Sequence, residues 1–556
     1  MMPSIRHIFA VFLTAVTLCL TMQPAGAADT ALALTGVVTS AEENAMEGVL
    51  VSAKKAGSNM TISVVTDAQG RYRFPASKLE AGQYAIRIRA IGYDLEGRVN
   101  AEVSAQKTTT TDLKLRKTGD LAAQMTNAEW LSSMPGDQKM KNTLLGCVSC
   151  HTLERITRSK YDADGFLATV QRMSTYANQS TPLNPQKRLT TRATEAVGED
   201  RVRVQRAQAE FLASINLSQS STWDYALKPF PRPKGKATQV ISTEYDLPRP
   251  TIEPHDVVLD PEGNAWYSNF GAQTLGKIDP KTGKHSEFAV PEPKKGSPLG
   301  SLSLRNDREG NLWLGLMYQA GIAKFDRKTE KFQTWLIPAE MNTANAQVNM
   351  TSPMSIGVDG KVWSQNNGFA GIHRIDLKTG KWETWEPFKQ SPQGHNIYDV
   401  VADAQNNAYF TDMGREHIGR IDAKSGEVTL YSTPTKDSGP RRAVMDGQEK
   451  LWFGEYRANA IGMFDPKTTE FKEWKMPMAW ANPYDVAPDK NGHAWTGSMI
   501  NDRISRLDPK TGQFTEYLLP RSTNVRRVYV DNTTTPVTFW VGSNHGASII
   551  KLEPLE

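Results

Sequence analysis

At 556 residues the chain is too long for one ordinary domain, and its formal charge of +5 is small for that length. Its basic residues are scattered through turns without a concentrated tract, which argues against a nucleic-acid-binding protein. Mean hydropathy is −0.48, and beyond the N-terminus no apolar run is long enough for a membrane helix, so the mature chain is expected to have no membrane span.

Residues 1–27 read as a secretory signal. Arg6 lies in a short basic region, the run from Ile8 to Leu20 is apolar, and Ala25-Gly26-Ala27 precedes Ala28. Cleavage rather than anchoring is expected, since the run is too short to span and bulky Leu18 before Cys19 does not suit a lipoprotein site. The mature product would be periplasmic in a Gram-negative cell.

Residues 30–116 alternate with a period of two between turn residues, as in Gln83-Tyr84-Ala85-Ile86-Arg87-Ile88. Thr66-Asp67-Ala68-Gln69-Gly70-Arg71-Tyr72-Arg73-Phe74 reads as a tight turn feeding a strand. With Gly82-Gln83-Tyr84 and Ala90-Ile91-Gly92-Tyr93, the segment resembles the carboxypeptidase regulatory-like β-sandwich family. That resemblance implies a small structural or docking module.

Residues 117–220 change to helical periodicity, with helices expected over 141–156, 162–177 and 195–215. The last would present Ala207, Phe211, Leu212 and Ile215 on one face. The first carries Cys147-Val148-Ser149-Cys150-His151, the attachment signature of a c-type haem. Two thioethers and a proximal imidazole must come from one helical turn to meet one porphyrin. Zinc would need two further ligands; once the leader is removed no other cysteine remains, and the next histidine is His255. The closing Phe-Leu-Ala-Ser-Ile helix makes the segment resemble small class I cytochromes c, with one covalent haem. Met173 is the expected sixth iron ligand. Its short separation from His151 keeps Tyr176 or an open position as alternatives. Residues 221–239 hold Pro229-Phe230-Pro231-Arg232-Pro233, a stiff linker.

From residue 240 to the end the chain repeats. Aromatic residues at Trp266, Trp313, Trp363, Tyr409, Trp452, Trp495 and Trp540 are each followed thirteen residues later by an acid, Asp279 in the first unit and Glu553 in the last. Successive units are separated by 43 to 50 residues, so length changes fall in the connections between them. Four short strands per unit indicate a seven-bladed β-propeller. The lone strand Thr243-Glu244-Tyr245-Asp246-Leu247-Pro248 matches the outermost strand that the last unit lacks, and should close the ring. The expected architecture is therefore multidomain and mainly β: an N-terminal β-sandwich, a small all-α cytochrome c domain and a C-terminal seven-bladed propeller.

The innermost strands are expected to present His255-Asp256, Leu299-Gly300, Met354-Ser355, Tyr398-Asp399, Arg441-Arg442, Tyr484-Asp485 and Arg526-Arg527 at one face, with Glu455 among the second-strand ends. Arg441, Arg442, Arg526 and Arg527 would attract an anionic small-molecule substrate, with Tyr398 and Tyr484 packing against it. Trp-Phe-Gly-Glu (452–455) and Ile418-Gly419-Arg420-Ile421-Asp422 resemble the virginiamycin B (streptogramin) lyase family. That resemblance implies metal-assisted elimination with a divalent ion such as Mg, a histidine matched by His255 and a glutamate matched by Glu455. These two fall on different blades, and Asn269 stands where His255's own blade would carry the glutamate. The catalytic candidates are His255, Tyr398, Arg441 and Glu455; the haem candidates are Cys147, Cys150, His151 and Met173, the last two on the iron. Electron transfer or oxidation with a periplasmic redox partner is the leading expectation. A C–O or C–N lyase and a non-enzymatic binding scaffold are the alternatives.

Overall fold

The computed structural model describes residues 31–189, 198–391 and 393–556. The expected leader, with Cys19, lies outside the described residues.

Residues 31–117 form two facing sheets. In one, Leu32–Ser40 pairs with Arg71–Pro75 and with Leu113–Lys117. In the other, Leu50–Lys55 lies between Met60–Val65 and Gly82–Arg89. Alternation drives this arrangement: Tyr72 and Phe74 are buried while Arg71 and Arg73 stay exposed, and the inward set meets Leu34, Val38, Val51 and Leu113. The turn before Arg71 is held by Asp67 Oδ1, which accepts from the amides of Gln69 and Arg71.

The helical segment departs from expectation in its first helix. Residues 141–156 are not one helix: Gln138–Asn142 is α-helical, Thr143–Ser149 is 3₁₀, and Glu154–Thr157 resumes after a break at Cys150–Leu153. Thr143 Oγ1 turns back to donate to the Met140 carbonyl, a bond that competes with the regular ladder. Ala163–Met173 is a helix with Asp162 as its N-cap. Gly198–Ser214 is the closing helix, and residues 195–197 of its expected span lie outside the described residues. Its buried face is Gln205, Ala209, Phe211 and Leu212, with Ile215 buried just past its end; Ala207 is exposed.

The linker is a strap rather than a spacer. Trp223 donates to the Thr157 carbonyl, the amide of Phe230 donates to Glu129, and Arg232 pairs with Glu43 of the sandwich. Arg503 of the propeller donates to the Pro231 carbonyl, so one short segment ties all three parts together.

Residues 240–556 form seven four-stranded units. The innermost strands pack in sequence from Pro254–Leu259 round to Val525–Asp531, which returns to the first, so the ring is closed. The recurrent residues explain the spacing. The Asp279, Asp326, Asp376, Asp422, Asp465 and Asp508 carboxylates each accept from the amide two residues on, pinning the turn before the outer strand. Trp266, Trp313, Trp452 and Trp495 each donate from Nε1 to an aspartate six residues earlier. Glu553 has the same spacing but sits within a strand and pairs with Lys78 and Lys551.

Ring closure occurs where expected: Val240–Asp246 pairs antiparallel with Ser548–Pro554 as the outer strand of the seventh blade. Its other edge pairs with Met60–Val65 of the sandwich, Ile241 opposite Val64. Blade seven and one sandwich sheet are thereby a single eight-stranded sheet.

Candidate functional site

The helical segment sits over one end of the propeller, and a single hydrophobic cluster runs from Trp130, Leu144 and Leu212 into Phe270, Leu302 and Tyr398. Between them lies a partly open cavity of about 950 Å³. Cys147, Cys150, His151 and Met173 line it from the helical side; Phe270, Tyr398, Arg441, Tyr456 and Arg526 line it from the propeller.

The cysteine motif is fastened to the propeller through its own backbone. Asn524 Nδ2 donates to the Val148 carbonyl at 3.0 Å, and Arg526 Nη2 and His545 Nε2 donate to the Ser149 carbonyl at 2.8 and 3.2 Å. A turn too short to complete its helical bonds thus finds its donors on another domain. Burial pushes the Cys147 and Cys150 thiols up to about 12 and about 11. That opposes a redox dithiol, whose attacking sulfur needs a depressed pKa. Burial lowers the His151 pKa, favouring the neutral imidazole. His151 Nδ1 lies 2.9 Å from the Thr152 carbonyl, so Nδ1 carries the proton and Nε2 keeps its lone pair. Met173 ends its helix at the cavity rim, 39% exposed.

On the propeller side the ring of first-strand residues needs two corrections. In blade two the cavity-side positions are Leu302-Ser303, since Leu304 pairs with Leu314; Leu299-Gly300 belongs to the preceding connection. In blade three they are Asn349-Met350, because Val348 pairs with Asn366 and residues 353–360 are inserted before the second strand. Met354 lies in that insertion and is exposed.

The arginines divide into two kinds. Arg442 and Arg527 point into the channel and pair with Asp256, while Arg305 pairs with Asp399. Asp256 is fully buried, and the arginines hold its carboxyl well below the usual range against the opposing effect of burial. These guanidiniums are neutralised structural groups, so the expectation that Arg442 and Arg527 attract a ligand is not met. Arg441 and Arg526 face the cavity, and neither has an ion pair among the described residues.

His255 is fully buried and does not reach the cavity. Its Nδ1 lies 2.8 Å from Asp256 Oδ1, and its Nε2 lies 3.3 Å from the Tyr484 hydroxyl, which bonds the Tyr398 hydroxyl at the cavity floor. Proton inventory fixes the direction: Nδ1–H donates to Asp256, Tyr484 donates to Nε2, and Tyr398 donates to Tyr484. Burial lowers the His255 pKa to about 3, so the ring stays neutral. Glu455 is fully buried but does not line the cavity; burial, with repulsion from Glu473, pushes it up to about 8. His255 and Glu455 therefore do not fit a magnesium site: both ring nitrogens are engaged, and the carboxyl is buried apart from the cavity.

A donor set that sequence reasoning missed lies on blade four. His395, Asp412 and His417 bring their ligand atoms within 4.8 Å of one another, with His395 Nδ1 2.6 Å from Asp412 Oδ2. Asn396 and Met413, next in sequence to two of them, line the cavity. Two imidazoles and one carboxylate suit a transition metal better than magnesium. The available signal was Asp412 at a second-strand end flanked by two histidines.

Family models match both β regions: the virginiamycin B lyase family over residues 296–553 and the carboxypeptidase regulatory-like domain over residues 33–116. The propeller is virginiamycin B lyase-like. Among solved structures, selenomethionine-substituted virginiamycin B lyase from Staphylococcus aureus is 23% identical, with 56% of this chain and 99% of that chain covered at a TM-score of 0.48. A streptogramin B lyase is 21% identical, with 58% and 99% covered at 0.49. The curated proteins contain no match to the chain. The segment between the two matched regions, with the cysteine motif, is covered by neither family model, and the cavity lies where it meets the lyase-like propeller.

Proposed function

We propose that this chain is an exported monohaem c-type cytochrome whose propeller forms the second wall of the haem cavity and binds a substrate or redox partner there. The observation that carries the reading is the shared cavity: both cysteines and the histidine of one attachment motif line a space of about 950 Å³, at the large end of ligand sites. The donor set suits the group. Cys147 and Cys150 would hold it covalently, His151 Nε2 would bind the iron, and Met173 at the rim is the proposed sixth ligand. Haem supplies one-electron chemistry. The chain's own residues position the attachment turn through Asn524, Arg526 and His545, with the propeller forming one wall of the site. Among the described residues no helix is long and apolar enough to cross a membrane, and the reading places the protein in the periplasm.

The test is acid–acetone extraction of the purified protein after co-expression with a haem c maturation system. Haem should stay with the polypeptide, and Cys147→Ala combined with Cys150→Ala should release it. Fully extractable haem in the wild type would refute the reading.

A second reading, metal-assisted lyase chemistry, draws on the His395, Asp412 and His417 cluster beside the same cavity. Calorimetric titration with Mn²⁺ and Zn²⁺ should show one site that is lost in Asp412→Asn. Absence of binding in the wild type removes this reading.

A further inference from the structure

Seven arginines line the cavity, and among the described residues no aspartate or glutamate does. Most of these cations have visible partners. Arg457 donates to the carbonyls of Met413, Arg415 and Asp437, and Arg526 donates to Asn524 Oδ1 and the Ser149 carbonyl. Arg441 is different. Among the described residues its Nε is buried without a partner, and its Nη2 makes only a long approach of 3.5 Å to the Tyr398 hydroxyl oxygen. That oxygen is an acceptor here, because its own proton goes to Tyr484.

What surrounds Arg441 is aromatic. Its guanidinium carbon lies 3.9 Å from the ring centroid of Tyr484, 4.3 Å from that of Tyr456 and 4.8 Å from that of Tyr398. Ring faces stabilise the charge but leave most of the N–H donors unused. Three rings also fix the plane of the guanidinium, so its donor edge is already oriented before anything binds. The adjacent Arg442 shows the contrast: turned into the channel, it is given Asp256 on two nitrogens.

We propose that Arg441, caged by Tyr398, Tyr456 and Tyr484, is a carboxylate-binding subsite in the floor of the cavity. The guanidinium edge would take both oxygens of one carboxylate, the pairing its planar fork fits. Phe270, Leu302 and Met413 give the same cavity an apolar lining, so the ligand is a small organic acid with an apolar or aromatic body. The subsite deepens the functional reading given above and rests on it for one of two sources. The carboxylate belongs either to a free acid or to a propionate of the bound haem.

The experiment uses the purified full-length protein, with covalent haem measured separately. Acetate, benzoate and 4-hydroxybenzoate are titrated calorimetrically into wild type, Arg441→Gln, Arg441→Lys and Arg457→Gln, with benzamide as the neutral control. For a free acid, at least one carboxylate binds saturably and benzamide does not. Affinity then falls about tenfold or more in Arg441→Gln, falls less in Arg441→Lys, and holds in Arg457→Gln. For a propionate, free acids do not bind, but Arg441→Gln shifts the haem midpoint potential while Arg457→Gln does not. The proposal is overturned if Arg441→Gln matches wild type in both acid binding and haem potential. Should Arg441→Gln fail to fold, Arg441→Lys carries the same comparison, since losing the fork alone must weaken a bidentate contact. Protein without covalent haem would refute the cytochrome reading while leaving the acid titration as a valid test of the subsite.

Discussion

Asp256→Ala should be among the most destabilising single changes in the propeller. The carboxylate is fully buried and accepts from Arg442 Nη2 at 2.9 Å, Arg527 Nη1 at 3.0 Å, the Leu304 amide at 3.0 Å and His255 Nδ1 at 2.8 Å. Its removal leaves Arg442, only 2% exposed, with Asp399 at 3.7 Å as its nearest remaining carboxylate. An uncompensated buried charge of this kind costs about 3–5 kcal/mol. For a unit of this size that is a fall of roughly 6–10 °C in Tm. Urea and thermal melts followed by tryptophan fluorescence would measure it. Arg442→Met added to Asp256→Ala should recover part of the loss, because the orphaned cation goes too. The sign with pH is also fixed. A depressed folded pKa contributes stability that is present above the ordinary carboxylate value of 3.8 and is lost as pH falls through the folded value, so the variant should lose part of the wild type's acid limb. A loss below about 1 kcal/mol, or a double variant that simply adds the two single losses, would refute the argument.

Glu455 behaves in the opposite sense. With its pKa raised from 4.5 to about 8, its contribution is fully present below pH 4.5 and is lost as pH rises towards 8, so Glu455→Gln should flatten the alkaline fall in Tm across that window. Unchanged alkaline behaviour would show that the carboxyl is solvated. Trp452→Ala removes a buried ring that stacks on Trp474 at 5.7 Å and bonds Asp446, and should cost about 3–5 kcal/mol in a urea melt without altering haem content. In Met173→Ala the weak long-wavelength band of sulfur–iron ligation should vanish; its absence from the wild type, or its survival in the variant, would place another group on the iron.

The propeller was legible because its repeats are set by local chemistry. An aspartate that caps its own turn and a tryptophan bonded to an earlier aspartate must keep their spacing, whatever happens to the connections. The closing strand was legible for the same reason, as a fragment with no partner in its own unit. Blade three was misplaced because Asn349 lies fourteen residues before Trp363, whereas His255, Tyr398, Arg441 and Tyr484 each lie eleven before the aromatic residue of their unit; the extra length falls in 353–360, inside the unit. The first helix of the middle segment was overread because hydrophobic spacing does not separate an α-helix from a 3₁₀ turn followed by a break. Composition also could not sort Arg441 from Arg442, or Arg526 from Arg527. Neighbours on a strand face opposite ways, and which one meets a carboxylate depends on residues as distant as Asp256. The cluster of His395, Asp412 and His417 joins a connection to two strand ends, so residues seventeen and five apart in sequence meet only once the blade has folded.

The shared eight-stranded sheet bears on the order in which the molecule assembles. Ring closure joins Val240 to Pro554, so the propeller's final strand must find an edge made before its seven blades were synthesised. An unpaired edge waiting through the synthesis of seven blades would invite pairing with another chain. Here Met60–Val65, in a domain translated before the propeller, occupies one side of Val240–Asp246 and leaves the other side in register for Ser548–Pro554. The sandwich thus acts as a template built into the chain, holding one side of the propeller's seam until the propeller's final strand arrives.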